Sequence, residues 1–236
     1  MGSIQSTGGT ESGIWHDVPT VLAAAHELKS PLVLIRQMTF QLDENDPVAN
    51  RIRLTAERSL QLVEGLTKVS RLEDTLFACE PIYLPALYDE IAHEMSPLAK
   101  ALDQSIEIHV PKSQVTAIGN RSLLRSVLLG LCDNALTHND VTRPIELRAA
   151  RLGDRVIAGV RDYGPSTNHL PSIRRSIGKT PLPMTSRPRS SGLGLMIAEQ
   201  FARHMDSELL LRRHQTHGVT LSLSLPASQQ LSLLAL

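Results

Sequence analysis

From Asp46 onward the chain places Ile52, Thr55, Ser59, Leu62, Leu66 and Val69 three and four residues apart in alternation. This is a heptad seam, widened by Ala56, Leu60 and Val63. Asp46-Pro47 opens the helix, because an aspartate can accept from free N–H groups of the first turn and a proline needs no donor there. A helix also precedes it. Asp17, with Pro19 in the first turn, marks a start, and the run extends to about Leu42. Val21, Ala25, Leu28, Leu32, Ile35, Thr39 and Leu42 line one mostly apolar stripe of that helix. Asp43, Glu44, Asn45 and Asp46 form a short polar break, so the two helices make an antiparallel hairpin. One hairpin leaves a seam open on each helix. Two chains pairing into a four-helix bundle would bury it, and cover by the following domain is the single-chain alternative.

The first helix carries Ala23 to Leu32, in which His26 adjoins Glu27, Ser30 follows one turn later, and Pro31 interrupts the turn. His26 falls roughly 160° from the centre of the apolar stripe, so it points to solvent with Ser30 beside it. Pro31 cannot donate to the carbonyl of Glu27, which predicts a kink just after the histidine. The geometry by itself fits both a reactive histidine open to a partner and an ordinary surface histidine before a tolerated proline.

Composition narrows the classes. The 236 residues suffice for one large or two small domains with real cores. Lysine plus arginine equals aspartate plus glutamate at 24 each, so no overall field argues for nucleic acid or a membrane surface. Aromatic residues are only 3%, leaving few platforms for stacking bases. Cys79 and Cys132 offer neither a disulfide framework nor zinc spacing, which favours a reducing compartment. No run approaches a membrane span, and residues 1–16 read as a flexible leader without an apolar signal core.

Beyond Asp74 the pattern changes. Glu80-Pro81 and Pro85 punctuate a connector, followed by a helix over Ala86–Ala101 and short β-rich runs at Ile106–Val110 and Val115–Ile118. Asn120 can cap a helix reaching about Thr137. Pro144–Arg151 and Arg155–Arg161 read as a hairpin around Gly153-Asp154. Residues 163–190 have no periodicity and make a long loop. A helix over Gly192–Met205 and strands at Glu208–His214 and Val219–Leu225 complete a mixed α/β layer with neither TIM-barrel nor Rossmann alternation.

Three local signals fall in order along this half. Asn134, in the apolar run Leu131–Leu136, suits a Mg²⁺ ligand, since that hard cation takes oxygen donors, and suits a helix-surface asparagine equally. Asp162-Tyr163-Gly164 ends a strand. Its acid can accept from an exocyclic amine and its glycine lets a ligand approach, though an ordinary Asp/Gly turn reads the same way. Ser190 to Leu195 is a Gly-rich turn opening a helix, where free N–H groups form a phosphate site. The intervening segment has no acid between Asp162 and Glu199 but holds Arg174, Arg175, Lys179, Arg187 and Arg189, which suits a triphosphate or a merely solvated loop.

With these motifs in place, residues 17–225 resemble the sensor histidine kinases of two-component systems. His26-Glu27-Leu28-Lys29-Ser30-Pro31-Leu32 looks like that family's H-box and Leu131–Leu136 like its N-box. Asp162–Gly164 resembles the G1 box and Ser191-Gly192-Leu193-Gly194-Leu195 the G2 box. The resemblance implies that His26 takes the γ-phosphoryl group of ATP, that Glu27 orients it or receives its proton, and that Ser30 helps position water for dephosphorylating the partner. It further implies that Asn134 holds Mg²⁺ and Asp162 reads the adenine amine. His138, Gly164, Ser191, Gly192, Leu193, Gly194 and Leu195 would contact the nucleotide. Departures stand beside it: Gly130 for a polar N-box residue, Thr137 for a phosphate-contacting lysine, Ser166 and Ser190 for glycines of G1 and G2, and no phenylalanine in the loop.

The expected fold is therefore α+β. A helical hairpin over 17–77 forms a dimeric four-helix bundle, an α/β sandwich ATP-binding domain of the Bergerat type spans 78–226, and a tail covers 227–236. The resemblance implies an ATP- and Mg²⁺-dependent protein-histidine kinase, a homodimer serving a response regulator receiver domain. It would be cytoplasmic, or the cytoplasmic part of a longer sensor, with no nucleic acid and no direct membrane contact. Two rivals accompany it: a degenerate scaffold that docks a regulator, and a phosphatase-biased kinase with weak ATP binding.

Overall fold

The computed structural model describes residues 18–43, 46–72, 78–111, 115–140, 142–164, 193–214 and 217–228. Its first element is α1, Val18–Thr39, followed by α2, Pro47–Val69. Asp46 caps α2 as its sequence predicts, accepting from the N–H of Val48 at 2.9 Å. Helix α1 stops three residues short of Leu42, because Phe40 and Leu42 turn back onto the carbonyls of Gln37 and Thr39 at 3.1 and 3.3 Å. Lys29 and Glu64 link the two helices at 3.8 Å, an exposed pair worth little by itself.

The seam divides in a way that its period does not reveal. Ala25 and Thr39 of α1 and Ala49, Leu54, Ala56, Leu60 and Val63 of α2 are buried. Of the heptad set, Ile52 and Thr55 stay exposed, whereas Leu62, Leu66 and Val69 pack against the core of the second half. The covering domain thus takes the C-terminal half of the α2 seam. Leu28, Leu34, Ile35, Met38, Phe40, Leu42 and Val48 remain exposed on the hairpin, so Leu28, Ile35 and Leu42 of the expected stripe are left uncovered by the described residues.

The second half runs β1 (Glu80–Tyr83), α3 (Leu84–Ala101), β2 (Ile106–His109), β3 (Thr116–Gly119), α4 (Arg121–His138), β4 (Ile145–Leu152), β5 (Arg155–Arg161), α5 (Leu193–His204), β6 (Leu210–Arg213) and β7 (Val219–Pro226). Strand β1 lies where the prolines had suggested only a connector. It pairs antiparallel with β3 in a two-stranded ribbon with Pro81 opposite Ile118, an edge position that tolerates a residue without a donor. The main sheet has the order β2-β4-β5-β7-β6, parallel between β2 and β4 and antiparallel elsewhere. Asn120 caps α4 by accepting from Leu123 N–H at 2.9 Å, and Gly153, at φ +63°, turns the β4–β5 hairpin as expected.

Helices α3, α4 and α5 cover the sheet through a core that includes Leu87, Ile91, Leu124, Leu128, Leu131, Phe201 and Leu223. No helix among the described residues is long and apolar enough to cross a membrane. One polar group is built into this core. The hydroxyl of Tyr88 donates to the carbonyl of Arg148 at 2.8 Å and accepts from Gly159 N–H at 3.0 Å, bridging a register pair of β4 and β5. Burial raises its pKa well above the ordinary phenol value, so it stays protonated and able to donate. Tyr88→Phe strands both backbone groups. It is expected to lower the unfolding free energy by about 1–3 kcal/mol, read as a lower urea midpoint at unchanged slope.

Candidate functional site

Two groups of the sequence-predicted residues lie on different parts of the molecule. His26, Glu27 and Ser30 sit on α1, all exposed, while the adjacent Ala25 is turned into the α1–α2 contact. The expected solvent-facing histidine is therefore present. Among the described residues, no hydrogen bond or ion pair joins these three side chains to the second half of the chain.

The other group gathers around the end of β5. Asp162 is only 6% exposed, and its N–H donates to the carbonyl of Val219 at 2.9 Å. Its carboxylate oxygen Oδ1 accepts from the N–H of Gly164 at 3.1 Å and of Val219 at 3.3 Å. These bonds tie the strand end to β7 and support a buried charge that would be costly without them. Gly164 is needed at its place because a Cβ there would overlap the carbonyl of His138 at the end of α4. Asp162, Gly164 and the His138 carbonyl thus meet at this turn.

Tyr163, which drew no role from its sequence position, anchors this turn from the other side. Its N–H donates to Asn139 Oδ1 at 2.8 Å, and its hydroxyl bonds to Glu146. The guanidinium groups of Arg161 and Arg143 lie 4.4 and 5.0 Å from its ring centroid. Burial and the Glu146 carboxylate push the Tyr163 phenol above its ordinary value, which keeps it a donor. Arg148 holds Glu146 from the other side at 2.6 Å.

The third place is the face of α4 that carries Asn134, a half-buried residue. A Cβ on Gly130, one turn earlier, would lie 3.6 Å from the carbonyl oxygen of Gly194, so the start of α5 rests against α4 there. A Cβ on Gly194 would lie 3.6 Å from Leu62 of α2. Leu193 and Leu195 are half-buried and packed on the core. Ser191 and Gly192, together with Ser166, Ser190 and the basic loop, lie outside the described residues. The sequence also gave no warning of Arg58. Its guanidinium crosses from α2 to Asp133 at 2.5 Å and to Thr137 at 2.7 Å, and its place between seam residues carries no signal of such a contact.

The donors fit a nucleotide with a small hard cation. A buried carboxylate is braced by backbone N–H groups beside Gly164, the start of α5 rests against α4, and Asn134 on that helix offers a carboxamide oxygen. No group of three or more His, Cys, Asp or Glu side chains able to hold a metal occurs among the described residues. A cation there would draw most of its ligands from phosphates and water, the habit of Mg²⁺.

Residues 119–229 match the family described as histidine kinase-, DNA gyrase B- and HSP90-like ATPase. The sensor protein SphS of Synechococcus elongatus is 30% identical over 225 residues, which is 88% of this chain and 54% of that protein. The sensor protein CreC of Escherichia coli is 30% identical over 212 residues, 87% of this chain and 44% of that one. The chain thus spans about half the length of these curated relatives. Among solved structures, full-length ShkA in complex with AMPPNP aligns with a TM-score of 0.63 at 20% identity, covering 89% of this chain and 46% of that one. The Acinetobacter baumannii histidine kinase AdeS aligns with a TM-score of 0.58 at 17% identity, covering 86% of this chain and 98% of that one. At these identities the two structures speak for the fold alone. The chain belongs to the sensor histidine kinases, and residues 119–229 are its ATPase domain.

Proposed function

We propose that the chain is the kinase core of a two-component sensor, binding ATP in the second domain and carrying phosphate on His26. The observation that supports it best is the buried Asp162 carboxylate, held by Gly164 and Val219 beside the end of α4 within a nucleotide-binding domain. A carboxylate there is suited to accept from the adenine amine. Gly164 lets the base approach, and the start of α5 is a helix end of the kind that suits phosphates. Asn134 would hold Mg²⁺, which when bound neutralises phosphate charge.

The exposed imidazole of His26 is the acceptor. A ring nitrogen forms the new N–P bond as the bond between the γ-phosphorus and the β,γ-bridging oxygen breaks, ADP leaves, and the imidazole proton passes to Glu27 or water. The phosphoryl group then goes to an aspartate on a response regulator receiver domain. Ser30, one turn beyond His26, would position water for the reverse task of removing that phosphate. The exposed apolar residues of the hairpin support a homodimer in which a second copy covers Ile35, Met38 and Leu42. A cytoplasmic location agrees with this chemistry, since ATP is found there.

Three measurements test the reading. Incubation with labelled Mg-ATP should yield an acid-labile phosphoprotein, and His26→Gln should abolish it; label that persists in the variant removes His26 as acceptor. Asp162→Asn keeps an oxygen that can accept from Gly164 and Val219 but loses the charge. It should weaken ATP binding by about tenfold or more, equivalent to roughly 1.4 kcal/mol, with an unchanged circular dichroism spectrum. The double change Ile35→Glu and Met38→Glu should convert a dimer to a monomer in sedimentation equilibrium.

A further inference from the structure

We propose that Arg58, carried on the helical hairpin, is a phosphate-binding cation of the ATP site, parked on Asp133 and Thr137 until the nucleotide competes for it. The inference rests on the ATP-binding reading above and extends it to a residue outside the ATPase domain. Arg58 Nε lies 2.5 Å from Asp133 Oδ1, and an Nη of the same guanidinium donates to Thr137 Oγ1 at 2.7 Å. Asp133 and Thr137 flank Asn134 within one turn of α4, so the guanidinium reaches the side of that helix on which the candidate metal ligand sits.

The surrounding contacts point the same way. One turn further along α2, Leu62 meets the Gly194 position at the start of α5, and Gly194 in turn meets Gly130 of α4. The helix end suited to phosphate, the Asn134 face and the Arg58 guanidinium therefore converge on one region. The ion pair is mostly buried, with 30% and 19% of the two side chains exposed. A carboxylate in such a pair holds its partner at a desolvation cost, and a triphosphate with several charges is the stronger competitor for a guanidinium.

Because Arg58 belongs to α2, nucleotide affinity then depends on the ATPase domain being seated against the hairpin. By linkage, nucleotide favours that seating in return. Lys68, 3.3 Å from Ser126 of α4, and the close approach of Gly65 to Ile197 hold the same seating.

The test is calorimetry on the full chain with Mg-ATP and, separately, adenosine. Arg58→Gln should weaken Mg-ATP by about tenfold, the worth of one charge-assisted hydrogen bond, and leave adenosine within twofold. Arg58→Lys should recover part of the loss. Asp133→Asn should tighten Mg-ATP several-fold when Arg58 is present and have no effect in the Arg58→Gln background. A purely structural clamp gives another pattern: Asp133→Asn weakens Mg-ATP, or Arg58→Gln weakens Mg-ATP and adenosine alike, and either result overturns the proposal. Unchanged Mg-ATP affinity in Arg58→Gln overturns it too while leaving the ATP site intact. Failure of the unaltered chain to bind either compound overturns the ATP-site reading as well.

Discussion

Helix α2 carries two apolar faces, and the arrangement of the molecule depends on both being used at once. Ala49, Ala56, Leu60 and Val63 face the hairpin partner α1, while Leu62, Leu66 and Val69 lie against the ATPase domain. Apolar burial is non-directional, so the seating of one domain on the other needs shape as well. Gly65 and Gly194 supply it. A Cβ at Gly65 would stand only 3.0 Å from Ile197, which shows how closely α2 and α5 approach. Helix α2 therefore joins the hairpin to the second domain and also braces the start of α5.

The site itself depends on polar groups that the core cannot leave unpaired. Asp162 bridges the end of β5 to β7 through backbone N–H groups, and Tyr163 reaches outward to Asn139 and Glu146. The guanidinium groups of Arg143 and Arg161 both lie over its ring. The strand end is thus held to both neighbouring strands, β4 and β7, and the buried carboxylate keeps a defined direction. Tyr88 does comparable work deeper in, completing the ladder between β4 and β5. Rigidity of this kind suits a reaction in which positioning and charge supply most of the catalysis.

What was legible in the sequence was local. Asp46 and Asn120 announced their helices because a cap bonds within three residues of itself. Gly153-Asp154 announced its hairpin because the turn demands a positive φ. The exposure of His26 followed from helical period, and Asp162 with Gly164 stood out by their place after a strand. The strand at Glu80–Tyr83 was hidden by Pro81, which an edge tolerates and local punctuation rules do not foresee. Tyr163 and Arg58 were hidden for another reason. Arg58 meets Thr137 across 79 positions of chain, and no spacing rule spans that distance.

The sequence by itself determined the kinds of element, the order of the motifs and the surface on which His26 lies, since propensity, capping and periodicity act over a few residues. Only the tertiary structure decided which partner takes each half of the α2 seam. Hydrophobic residues at heptad spacing specify that a face must be covered, not what covers it. It also decided that the ATPase domain shares an ion pair with the hairpin beside Asn134, because that contact exists only once two distant helices have been packed together.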